Sequence, residues 1–144
     1  MSLYTVVFYS HLASLALAAV GVLYADKLGF SWLRGKQETL QKMHLVWAHY
    51  LVSCALVLLI LSGLYLFWPM RVYLLHQWLF YVKMAFVLAL IVNSFAIGKL
   101  MHTATHTPHH TLSWSEKLPF YISGIVSMVC WAGAGVTALL LFYF

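Results

Sequence analysis

Four long apolar stretches, separated by short polar ones, run through the chain. They predict helices over about 4–25, 44–68, 77–101 and 118–144. Each is long enough to span ~30 Å of hydrocarbon, which takes roughly 20 helical residues. Apolar residues surround every stretch, so no amphipathic stripe marks an inner face. The connections are short, which favours one antiparallel bundle occupying residues 1–144 and leaves no room for a second domain. The predicted fold is all-α: an integral membrane protein built as an antiparallel four-transmembrane-helix bundle.

Composition agrees. Of the 144 residues 64% are hydrophobic and 8% charged, and the mean hydropathy is +0.90. Soluble domains carry roughly a quarter charged residues. The first stretch lacks a basic leader and exceeds the usual signal-peptide core, so it reads as a retained helix. Lys27, Arg34, Lys36 and Lys42 fall between the first two spans, and Lys99 and Lys117 between the last two. Arg71 alone falls between the second and third. The positive-inside rule then places both termini outside the cytoplasm, in a bacterial inner membrane. The net charge of +5 is accounted for by that bias, and scattered basic residues argue against a nucleic-acid partner.

Trp68, Trp78, Trp114, Tyr4, Tyr143 and Phe144 lie near span ends, as an interfacial aromatic belt requires. In the fourth span Ser123/Ser127 and Ala134/Ala138 are small residues four apart. They suit packing within the bundle, or a homo-oligomer through this helix. Cys54 and Cys130 read as packing residues.

One charge breaks the third span. "LFYVKMAFVLALIVNSFAIGKLM" has 15 uncharged residues between Lys83 and Lys99, too few to cross, so the helix must begin earlier and take Lys83 inside. His11 in the first span falls at similar depth, because spans one and three run the same way. Ionisable groups at depth usually face the bundle interior or water. His11 and Lys83 are therefore a candidate ligand-binding pair, with Arg71 just above them to meet a ligand's carboxylates. The alternatives are a lysine that snorkels to the surface and a histidine that serves one internal hydrogen bond.

On the other side of the membrane, His49 and Asn93 reach comparable depths. His44 lies five positions from His49 and so on another helix face. A neutral imidazole at either place is a good haem or transition-metal ligand. All three acids, Asp26, Glu38 and Glu116, fall in the polar connections. This reading leaves no carboxylate within the membrane and excludes paired-carboxylate catalysis.

The third connection holds His102, His106, His109 and His110. His102 and His106 are four apart and can chelate one ion if the helix continues. Pro108 disfavours helix at Thr107, so all four need not converge. Such tracts bind transition metals weakly, and a solvated loop is the simpler reading.

His11, Gly21, Tyr24 and Lys27 in the first span, "LSGLYLF" in the second, and Val82–Lys83 with Gly98–Lys99–Leu100–Met101 in the third form a pattern. It resembles the HemJ-type protoporphyrinogen oxidases, small four-helix membrane proteins, and the related copper-resistance-type membrane proteins. The resemblance implies haem b or a porphyrin held among the helices, with His11 and Lys83 as functional residues. The expected function is a haem- or porphyrin-binding redox enzyme or electron carrier, with Arg71, His49 and Asn93 as further cofactor-binding candidates. Two alternatives remain: an accessory subunit of a larger membrane complex, and a transition-metal-handling protein using the loop histidines.

Overall fold

A computed structural model describes residues 2–143. Four helices, α1 (Leu3–Leu33), α2 (Lys42–Leu74), α3 (Trp78–His106) and α4 (Trp114–Tyr143), are joined by short connections, with one 3₁₀ turn at His109–Thr111. No strand occurs among the described residues. All four helices are long and apolar enough to cross a membrane, as the hydrophobic pattern predicts. Trp68, Trp78, Trp114 and Tyr4 are exposed near helix ends; Phe144 and the side chain of Tyr143 lie outside the described residues.

The helices outrun their predicted ends, each for a local reason. α1 continues past Ala25 and Asp26 to Leu33, where Gly35 takes φ +73°. Gly35 N–H then bonds the Trp32 carbonyl at 2.9 Å and Lys36 N–H the Ser31 carbonyl at 3.1 Å. This is a Schellman stop, and it needs a residue tolerant of the left-handed conformation. α2 runs through Pro69 to Leu74. A proline there forfeits one backbone hydrogen bond, to the Tyr65 carbonyl. α3 ends at His106 because Thr107 is extended ahead of Pro108, as expected before a proline. α4 starts early, behind Ser113, whose N–H and hydroxyl both donate to Glu116 Oε2 at 2.8 Å. The Glu116 carboxylate thus reaches back to the Ser113 N–H, one half of a capping box.

α1 packs along α2 and α3 along α4, while the α1–α4 and α2–α3 contacts are sparse. The bundle is thus two antiparallel hairpins laid side by side. Small residues set the approach within each. A Cβ added to Gly21 would sit 2.8 Å from Val52 Cγ2, and one at Gly133 would sit 2.5 Å from the Phe86 ring. The small-residue face of α4 is used inside the chain, since Ser123, Ser127, Ala134 and Thr137 are all buried. Accessible surface is 9329 Å², well above the ~7,500 Å² expected of a soluble monomer of this mass. The excess is the apolar outside of the helices.

The hairpins are tied at one end, here called the loop end, which carries residues 34–41 and 107–113; the α2–α3 turn lies at the opposite, turn end. Trp32, fully buried, packs with Leu33, Leu40, Ala104 and Leu112. Its ring meets Phe120 edge-on at 4.9 Å. Backbone bonds tie residues 34–41 to the second hairpin: Leu40 N–H donates to Ala104 O of α3 at 3.1 Å, and His109 N–H to Glu38 O at 2.8 Å. Trp32 Nε1–H donates to the same Glu38 carbonyl at 3.1 Å.

Trp32→Ala removes both the packing and that bond. It is expected to cost about 3–5 kcal/mol, the usual range for deleting a buried large aromatic. Unfolding of the purified protein by graded denaturing detergent measures it; a loss below about 1 kcal/mol would contradict the role given to this cluster.

Candidate functional site

Near the turn end, His11 of α1 faces α2. Its Nδ1 lies 2.7 Å from Ser62 Oγ, and its Cε1 is the atom that a Cβ on Gly63 would meet, at 3.5 Å. Ser62 has one hydroxyl proton, and it points at the Leu58 carbonyl at 2.6 Å. The serine oxygen therefore accepts from His11 Nδ1–H. The Leu59 carbonyl also accepts a hydrogen bond from the ring. A ring nitrogen held in this way is the usual arrangement behind a metal-ligating imidazole.

Lys83, half-buried on α3, acts electrostatically on His11. The influence crosses from one hairpin to the other. Among the described residues no hydrogen bond or ion pair engages the Lys83 ammonium. Arg71 does not join them. It is exposed in the last turn of α2, where Nη1 donates to Trp68 O at 3.0 Å and the guanidinium lies 4.6 Å from the Trp68 ring centroid. A helix that runs past Pro69 carries Arg71 on its own surface.

Asn93, at mid-depth on α3, is buried and paired with α4. Its Nδ2 donates to Ser123 O at 3.1 Å, and Ser123 Oγ donates to Asn93 Oδ1 at 2.9 Å. Two buried polar groups satisfy one another and fasten the second hairpin, an arrangement common where lipid offers no hydrogen bonds.

Towards the loop end a cavity of about 60 Å³ lies among all four helices. Asp26, His49, Asn93, Ser94 and Ser127 supply its polar lining. His49 and His44 part company as their spacing requires: His49 lines this cavity, while His44 is exposed with its Nδ1 3.1 Å from Tyr24 Oη. The expectation that every acid lies in a polar connection fails for Asp26. α1 continues eight residues beyond Ala25, and this carries the carboxylate into the bundle, where Oδ2 is sealed from solvent without a hydrogen-bond partner. The readable signal was the next helix stop, Arg34–Gly35, rather than the first charge.

The expected cofactor-binding residues therefore divide. His11 and Lys83 lie in the turn-end half, His49 and Asn93 line a separate space, and Arg71 stands outside. Ser62 and Asp26 belong to these places and carried no recognised motif. The four loop histidines divide as well. His102 and His106 both lie within α3 and stack with centroids 4.4 Å apart, and His106 Nδ1–H donates to His102 O at 2.9 Å. His109 turns the other way, its Nε2–H donating to Leu33 O at 2.9 Å, and His110 is exposed. Among the described residues no group of three or more His, Cys, Asp or Glu side chains could hold a metal ion.

Comparisons with family models, curated proteins and solved structures return no match to this chain.

Asn93→Ala should weaken the fold by about 0.6–1.7 kcal/mol, the range measured for such bonds between membrane helices. Ser123→Ala should cost a similar amount, and the double variant less than the two together, because they remove one interaction. Additive losses in the same unfolding assay would show the pair to be independent.

Proposed function

We propose that this chain is an integral membrane protein that binds haem b or a related porphyrin through His11, with Lys83 beside it, and serves as a redox enzyme or electron carrier. The observation that carries the reading is the state of His11. Its Nδ1 is held by Ser62, and the Lys83 side chain of the other hairpin acts on the ring electrostatically. The resemblance of His11, Gly21, Lys83 and Gly98–Lys99 to HemJ-type proteins points the same way.

The donor set would offer the haem iron one imidazole, that of His11. Ser62 would hold the ring in place and raise its basicity, Gly63 leaves space against the ring edge, and Lys83 would meet the anionic groups of the ligand. Bound haem would supply one-electron chemistry, its potential set by the axial ligand and by how dry the site is. The cavities at the loop end, about 60 and 100 Å³, fall far below the ~300–1,000 Å³ of pockets that enclose drug-sized ligands. They have no part in holding a macrocycle. With basic residues concentrated at the loop end, that end is assigned to the cytoplasm of a bacterial inner membrane and the His11 region to the outer side.

A second reading, an accessory subunit of a larger membrane assembly, draws on the exposure of α2. Only 6% of its most apolar window is buried, against 22% for α1 and α4. Lipid or a partner helix would cover that face equally well.

Protein made with ample haem, or given haem after purification, is expected to show a Soret band. His11→Ala should abolish it and Lys83→Met should weaken binding, with the helical circular dichroism unchanged in both. A folded wild-type protein with no Soret band under either condition would overturn the haem reading. Comigration of that colourless protein with a large complex in mild detergent would favour the subunit.

A further inference from the structure

The cavity at the loop end carries a second and separate site. Asp26 stands seven residues before the end of α1, and His49 seven residues after the start of α2. On antiparallel neighbours this puts both about 10 Å in from the same end. Both line the same cavity, yet no hydrogen bond or ion pair joins them. Oδ2 of Asp26 is sealed from solvent with no partner. His49 makes no hydrogen bond among the described residues, and its ring meets only that of Tyr50, at 6.4 Å. A carboxylate oxygen so placed needs either a proton or a donor.

The space between them suits water. The cavity's 60 Å³ exceeds the ~10–15 Å³ that one water requires, and a buried water wants two to four polar partners. Asp26, His49, Asn93, Ser94 and Ser127 supply them from all four helices. Asp26 also lines a second cavity, of about 100 Å³, that reaches Leu33, Leu40 and Ala104 at the loop end. The carboxyl thus borders both spaces. Among the residues lining the two cavities, Asp26 from α1 and His49 from α2 are the titratable groups; α3 offers Asn93 and Ser94, and α4 offers Ser123 and Ser127, all neutral.

We propose that Asp26 and His49 form a hydrated proton-binding site, in which one proton is shared, through bound water, between carboxyl and imidazole. The site stands apart from the His11 reading and holds whether or not haem is bound.

The test uses the full chain in phospholipid nanodiscs. A hydrophobic carbodiimide adds to protonated carboxyls in apolar surroundings, and mass spectrometry locates the adduct. The chain has three acids, so Glu38 and Glu116 serve as exposed controls. Asp26 should be modified at low pH and protected at high pH. In His49→Gln the midpoint of that curve should move by about tenfold in proton concentration, as expected for two groups that titrate together. No adduct on Asp26 at any pH, or an unmoved midpoint in folded His49→Gln, would overturn the proposal. Should that variant not fold, infrared spectra of the unmodified chain decide. Asp26 is the sole aspartate, so carbon-13 aspartate marks its carboxyl band alone. Coupling predicts two titration steps in that band, and a single step would refute it.

Discussion

The tie at the loop end constrains everything else in this molecule. Elsewhere the two hairpins touch sparsely, and lipid offers them no hydrophobic reason to stay together. At the loop end the connection 34–41 makes backbone hydrogen bonds with Ala104 of α3 and with His109, and the buried cluster around Trp32 forms there. Glu38 contributes its carbonyl rather than its carboxylate, accepting from both Trp32 and His109. A residue whose charge suggests a solvated loop thereby serves as a structural hub through its backbone. His109 adds a second strut to the Leu33 carbonyl and so caps the end of α1.

With the hairpins fixed at one end, their polar groups lie along the join between them. His11 and Lys83 occupy the turn-end half, Asn93 and Ser123 the middle, and Asp26 and His49 the loop-end half. The outside carries exposed Leu, Val, Ile and aromatic residues. Polar side chains so distributed face protein and small cavities rather than hydrocarbon, which is the arrangement that makes them tolerable at depth. The loosely packed join is also where a ligand or water would be admitted at least cost, because little packing has to be undone.

The architecture was legible because span number follows from length and hydropathy alone. Charge was the poorer guide to helix ends. The run beginning Asp26–Lys27 looks like a connection, yet Leu28, Phe30, Trp32 and Leu33 continue the apolar pattern until Gly35 supplies a left-handed stop. Taking the first charge as the boundary cost the sequence reading its intramembrane acid. His11 and Lys83 were recognisable because depth can be counted along parallel helices. Ser62 was not, since a serine in an apolar run carries no signal until its partner is known. Asn93 looked like a ligand, but α4 provided the complementary groups for it, and such pairing between helices is invisible to a single sequence. Pro108 signals in the sequence that the loop histidines need not converge, and with the buried indole it sends His109 away from its neighbours.

The division into hairpins bears on how the chain is made. Synthesis delivers α1 and α2 first, and they can pair at once through Gly21 and Val52. Trp32 and the Glu38 carbonyl must then wait for residues beyond Ala104 before their shared enclosure exists. Completion thus falls to the last connection to leave the ribosome, and the nascent first half passes through the membrane insertion machinery with its indole still unclothed.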